Sequence, residues 1–88
     1  ANVHYFNRLG IAFRRQKKYQ EAIENYRKAL KVAPNDPVLH YNLALALAES
    51  GQWSQAVGTL RRALVLDPRF KAAEELLRRI EARAKQAR

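Results

Sequence analysis

Residues 9–34 read LGIAFRRQKKYQEAIENYRKALKVAP, and residues 43–68 read LALALAESGQWSQAVGTLRRALVLDP. Laid over one another at an offset of 34 positions, they pair Leu9 with Leu43, Ala12 with Ala46, Ala22 with Ala56 and Arg27 with Arg61. The same offset pairs Ala29 with Ala63, Leu30 with Leu64, and Pro34 with Pro68. Other pairs keep size and character: Gly10 with Ala44, Ile11 with Leu45, Phe13 with Leu47, Tyr19 with Trp53, Ile23 with Val57. Small and large residues thus fall in the same order twice. A fixed period of this length marks a stacked repeat, in which each unit buries its apolar face only against its neighbours.

Each unit reads as two helices. Phe6, Leu9, Gly10 and Phe13 recur at three- and four-residue steps, which sets them on one helical face. After a polar break at Gln16–Lys18, the residues Ala22, Ile23, Tyr26, Ala29 and Leu30 make the apolar face of a second helix. The next unit repeats this with Leu39, Leu43, Ala44 and Leu47, then Ala56, Val57, Leu60, Ala63 and Leu64. Asn35-Asp36-Pro37 and Asp67-Pro68 each set a capping acid before a proline, which predicts two helix starts. Gly51 falls where a helix C-terminus needs a left-handed residue, and Lys17 stands at the same place in the first unit.

Residues 69–88 differ. Shifted by 34, only Leu77 aligns well, with Leu43, while Arg78 and Glu81 stand where the units have a small and a large apolar residue. Ala73, Leu77, Ile80 and Ala84 still form one apolar stripe, opposite Glu74, Arg78, Glu81 and Lys85. One apolar face and one wet face is the pattern of a terminal cap. The expected fold is a single all-α domain, an α-α superhelix of five helices: repeats at 1–34 and 35–68, then a C-terminal capping helix at 69–88. The first helix should leave Tyr5, Leu9 and Ala12 open at the N-terminal edge, which predicts either an upstream domain or self-association there.

These residues resemble the tetratricopeptide repeat (TPR) family. Its pattern of bulky, leucine, small and aromatic residues in the first helix, then small, aromatic, small and proline in the second, is met by Phe6, Leu9, Gly10, Phe13, Ala22, Tyr26, Ala29 and Pro34. The second unit reads His40, Leu43, Ala44, Leu47, Ala56, Leu60, Ala63 and Pro68, departing at His40 and at two aliphatic residues in aromatic places. The resemblance covers residues 3–68. It implies a protein-interaction adaptor or scaffold whose first helices line a concave face. The residues it places there for peptide binding are Asn7, Arg8, Ile11, Arg15, Tyr41, Asn42, Leu45, Leu76, Arg79 and Arg83, with His4, Val38 and Glu49 beside them. Some TPR domains hold the terminal carboxylate of chaperone tails with two Asn and three basic residues. The corresponding places here are Asn7, Ile11, Asn42, Ala72 and Leu76, and only Asn42 matches. Ile11, Leu45 and Leu76 should form a short exposed aliphatic row, which instead implies an aliphatic ligand, with Arg8, Arg79 and Arg83 supplying charge for acidic groups.

Composition narrows the rest. The 88 residues include no Cys, which removes disulfide frameworks, thiolate metal sites and cysteine nucleophiles. His4 and His40 are far apart with no acid cluster, Ser50, Ser54 and Thr59 lie in no nucleophile motif, and no glycine-rich phosphate loop is present. No catalytic residue, metal ligand or cofactor is therefore expected, and the acids Asp36, Asp67 and Glu49 are assigned to caps and turns. No apolar run reaches the roughly 18 residues of a membrane span, so a cytoplasmic location is expected, and the Ala/Arg/Leu-rich style leans towards a bacterial source. The chain begins at Ala1 and contains no Met, which suits a processed protein and, at least as well, a module of a longer chain.

The net charge of +9 is uneven: eight Lys/Arg against two Glu in residues 1–34, two against three acids in 35–68, and seven against three in 69–88. Arg14, Arg15, Lys17 and Lys18 cluster at one turn, and Arg27, Lys28 and Lys31 follow one helix. The alternative function is accordingly nucleic-acid or other polyanion binding through a basic convex surface. It is the weaker reading, because no aromatic residues interleave with those charges. The expected partner is a protein or peptide with acidic and aliphatic character.

Overall fold

The computed structural model describes residues 2–86. They form five helices: α1 (Val3–Arg15), α2 (Tyr19–Val32), α3 (Pro37–Glu49), α4 (Trp53–Leu66) and α5 (Lys71–Gln86). The order α1·α2, α2·α3, α3·α4, α4·α5 is also the order of packing, as in a stack of helical hairpins. α1 and α5 each also touch α3. α3 is thus covered from four sides, and it buries Leu39, Leu43, Ala44, Ala46, Leu47 and Ala48.

The turns inside the two hairpins share one geometry. In the first, the Lys17 amide donates to the Arg14 carbonyl and the Lys18 amide to the Phe13 carbonyl, at 2.9 Å each. In the second, Gly51 donates to Ala48 at 3.0 Å and Gln52 to Leu47 at 2.8 Å. This is the paired C-terminal bonding that places one residue in the left-handed region. Gly51 has φ +84° and Lys17 has φ +63°. A side chain pays roughly 1 kcal/mol for that conformation, part of which glycine returns through its freer unfolded chain. Lys17→Gly should therefore hold or raise the melting temperature, and a clear fall would contradict the assigned turn.

Asp36 caps α3 as expected: its side chain accepts from the Val38 amide at 2.9 Å, and Pro37 opens the helix. Asp67-Pro68 does not start α5, which corrects that reading. Asp67 ends α4 and turns the chain, its carboxylate accepting from the Arg69 amide at 3.2 Å and its carbonyl from the Phe70 amide at 3.1 Å. The repeat period explains this, since Asp67 lies 34 positions after Ala33, the residue that ends α2, and Lys71 lies 34 after Pro37.

The core runs through both repeats into α5. Tyr26, Leu39, Leu47 and Leu60 are its largest fully buried side chains. Gly10 admits one of them: a β-carbon there would stand 2.4 Å from Cε1 of Tyr26. On α5, Ala73 and Ile80 are buried, whereas Arg78 pairs with Glu74 at 3.1 Å and Glu81 with Arg61 at 3.4 Å on the wet side. At the N-terminal edge Tyr5 is 57% exposed, Ala12 is exposed and Leu9 is half-buried.

Candidate functional site

α1 and α5 both touch α3, so these three helices share one side of the stack, the side that the resemblance implies is concave. The Asn42 amide on α3 donates to the Asn7 side-chain oxygen on α1 at 3.0 Å. That bond fixes both side chains and leaves the Asn42 oxygen to accept. Tyr41 lies against Phe70, with ring centroids 5.3 Å apart, and its ring closes the gap before α5. Ile11, Leu45 and Leu76 are half-buried, where an exposed row was expected. Ile11 and Leu76 lean on the core, so the row is a partly sunken strip with its outer edges open.

Between α3 and α5 the strip deepens into a groove of about 290 Å³. Leu45 and Ala48 form one wall, Leu76 and Ile80 the other, and Trp53 closes the end. Arg79, Arg83 and Glu49 stand on the rim. The structure thus brings together Leu45, Leu76, Arg79 and Arg83 of the expected set. Asn7, Arg8, Ile11, Arg15, Tyr41 and Asn42 do not line this groove, and Arg8 and Arg15 are exposed on α1.

Two members of the groove were not among the expected site residues. Trp53 pairs with Tyr19 in the repeat alignment and so reads as a structural aromatic, and Ile80 reads as part of the capping stripe. The signal for both lies in spacing: Leu76, Arg79, Ile80 and Arg83 fall at i, i+3, i+4 and i+7, one stripe of α5. Trp53 is the one Trp of the chain and remains 39% exposed.

Glu49 corrects the assignment to caps and turns. Both its oxygens accept from Arg14, at 3.1 and 3.2 Å, a bond from α3 to α1. Arg14 therefore leaves the basic cluster at residues 14–18 and is engaged inside the stack. Burial lowers its pKa, but the Glu49 carboxylate and Tyr26 together outweigh that and hold it above the ordinary value. Burial pushes the Tyr26 phenol up, against the pull of the same guanidinium. The folded phenol thus keeps its proton at a pH where the unfolded one has lost it, so its contribution is whole below about pH 10 and is lost as pH climbs through the folded value. Thermal melts across that window should show an alkaline loss of stability that is shallower in Tyr26→Phe. Equal slopes in the two proteins would contradict this.

The remaining polar surface is simpler. His40 Nε2 lies 2.8 Å from the Pro34 carbonyl, which accounts for a polar residue at a bulky apolar place. Arg27 reaches Gln55 at 3.3 Å, and Lys28 lies over the Phe6 ring at 5.8 Å. No helix of the described residues is long and apolar enough to cross a membrane.

Helical hairpins in this order, with the concave strip on the first helix of each, define a helical-repeat protein-interaction module. Comparison with known proteins gives the family: a TPR repeat model matches residues 10–51 and a tetratricopeptide repeat model residues 37–70. The chain belongs to the tetratricopeptide repeat family. It is 38% identical over 63 residues to the Hsp70-Hsp90 organising protein of Plasmodium falciparum, a match covering 72% of this chain and 11% of that protein. The Sgt2 TPR domain from Aspergillus fumigatus superposes with a TM-score of 0.85 at 32% identity, over 94% of this chain and 57% of that one. The first TPR of Spaghetti, bound to the HSP90 peptide SRMEEVD, superposes with a TM-score of 0.90 at 24% identity, over 96% of this chain and 68% of that one, which shows the fold. The chain thus spans about a tenth of the Plasmodium protein's length and a little over half of the Sgt2 domain. Both source organisms are eukaryotic, so they lend no support to a bacterial origin.

Proposed function

We propose that this interaction module binds a peptide or protein segment of acidic and aliphatic character along its concave face. The observation that carries the reading is the groove between α3 and α5, with apolar walls at Leu45 and Leu76 and two rim arginines. Arg79 and Arg83 make no ion pair among the described residues, whereas Glu49 is already held by Arg14. Asn7, Arg8, Ile11, Arg15, Tyr41 and Asn42 extend the same face towards α1, and the Asn42 oxygen can accept from a peptide amide. The relative named as an Hsp70-Hsp90 organising protein, and the neighbour solved with an HSP90 peptide, support a peptide or protein ligand. Four of the five places of the chaperone-tail clamp hold other residue types, so a terminal carboxylate such as that of SRMEEVD is expected to add little affinity here. The open edge of α1 at Tyr5 and Ala12 is a second contact surface, for a preceding segment or another copy. The excess of basic residues in 1–34 works against like pairing.

Fluorescence anisotropy with labelled acidic peptides tests the reading. Leu45→Asp puts a charge on the apolar wall and should weaken binding about tenfold or more, the usual cost of losing an interface anchor. Asn42→Ala should weaken it less, and both variants should keep the wild-type circular dichroism. Unchanged affinity in both would sink the concave-face assignment. Repeating the titration at low and high salt separates the alternative, because phosphate binding by the convex Arg27, Lys28 and Lys31 collapses with salt and an aliphatic groove does not.

A further inference from the structure

Trp53 sits at the hinge of three adjoining hollows. One is the concave groove with Leu45 and Leu76, a second is lined by Ile80, Arg83 and Ala84, and a third continues past Ser54 to Val57 and Glu81. Each measures about 290 Å³, near the lower bound of a small-molecule site at roughly 300 Å³. That is room for a single large side chain rather than a cofactor. The indole is reachable, and the Arg83 guanidinium lies over it at 5.1 Å. Such a cation–π contact is worth only about 0.5–1 kcal/mol at an exposed site, so an incoming group can replace it.

Charge says what that group is joined to. Arg79 and Arg83 are one helical turn apart on α5, and like charges at this spacing repel by a few tenths of a kcal/mol. Neither forms an ion pair among the described residues: Glu74 pairs with Arg78, Glu81 with Arg61 and Glu49 with Arg14, and Glu75, one turn before Arg79, closes no bridge to it. α5 therefore presents, in one stripe, apolar Leu76, basic Arg79, apolar Ile80 and basic Arg83 beside an exposed indole.

Resting on the concave-face reading above, we infer that Trp53 and Ile80 form an anchoring socket for one large aliphatic side chain of the partner. Arg79 and Arg83 pair with acidic residues flanking that side chain. The partner is thus an acidic peptide segment with an internal aliphatic anchor, and Arg83 swings from the indole to a carboxylate as the anchor enters. A bidentate guanidinium–carboxylate pair is the stronger contact of the two.

The lone Trp makes the test direct. The probe is a blocked peptide with one Leu between Glu residues, carrying a terminal dye for anisotropy, with a Ser-for-Leu version as control. Anisotropy reads occupancy of the face, and Trp53 emission reads the socket. The Leu peptide should bind saturably and shift Trp53 emission to the blue, while the Ser peptide binds at least about tenfold more weakly. Arg79→Gln/Arg83→Gln should remove most of the affinity, and Trp53→Leu should preserve the Leu/Ser preference while Trp53→Ser erases it. Saturable binding that leaves Trp53 emission unmoved, with the Leu and Ser peptides equal, overturns the socket and leaves the concave-face reading standing. No binding of either peptide overturns both.

Discussion

Gly10→Ala should lower the melting temperature, although alanine is the better helix former. The exchange gains about 1 kcal/mol in helix propensity. Against it, the new methyl would stand 2.4 to 2.8 Å from three ring atoms of Tyr26, a side chain with no exposed surface. A ring held on all sides cannot turn away, and overpacking of this kind costs typically about 1–3 kcal/mol. A contact this close belongs at the upper end, so a net loss of about 1–2 kcal/mol is expected. In a domain of this size that lowers the melting temperature by roughly 4–16 °C.

The second repeat supplies the control for that prediction. There the equivalent pair is Ala44 and Leu60, both fully buried, so an alanine coexists with a smaller partner. Gly10→Ala/Tyr26→Leu copies that pair into the first repeat. Its stability loss should fall short of the sum of the two single losses by about 1 kcal/mol or more, the coupling of residues in direct contact. Additive losses would mean that the clash is not the cause.

Leu47→Ala should cost more. Leu47 is 1% exposed on α3, the helix that α1, α2, α4 and α5 all touch. Loss of such a side chain removes its transfer energy and leaves a cavity, together about 2–5 kcal/mol. A chain of this length has roughly 4–13 kcal/mol of stability in all, so Leu47→Ala removes a large part of it. Chemical denaturation should show a midpoint well below wild type. A loss under about 1 kcal/mol would contradict the central place given to α3. Leu66→Ala, at the half-buried end of α4, should lose less.

How much of this was legible in the sequence depended on which signal was read. Residues 43–48 run LALALA, an alternation that by itself suits a strand. They are helical, as the wider spacing of Leu39, Leu43, Ala44 and Leu47 and the offset of 34 both indicate, and α3 is packed on several sides. The left-handed turn at Lys17 was readable only through Gly51, its partner in the period. Asp67-Pro68 misled for the opposite reason: as a local motif it looks like a helix start, while its counterpart Ala33-Pro34 already marked a helix end.

The candidate groove was legible in outline and not in depth. Family geometry placed Leu45, Leu76, Arg79 and Arg83 on one face, and the groove contains them. Trp53 was hidden because its place in the repeat belongs to a packing aromatic, yet it stays partly exposed beside Ile80 and Arg83 of α5. Arg14 and Glu49 are 35 positions apart on different helices, so no local pattern announces their pairing. Asn7 and Asn42 are joined across the same distance in sequence, for the same reason.

The central claim is that binding uses the concave groove between α3 and α5, and amide chemical-shift mapping tests it most directly. With a ¹⁵N-labelled chain and the Glu-Leu-Glu peptide, the account expects the largest shifts at Leu45–Glu49, at the Trp53 indole and at Leu76–Arg83. Shifts concentrated instead at Lys17, Lys18, Arg27, Lys28 and Lys31, with the groove silent, would contradict it and give the function to the basic convex surface.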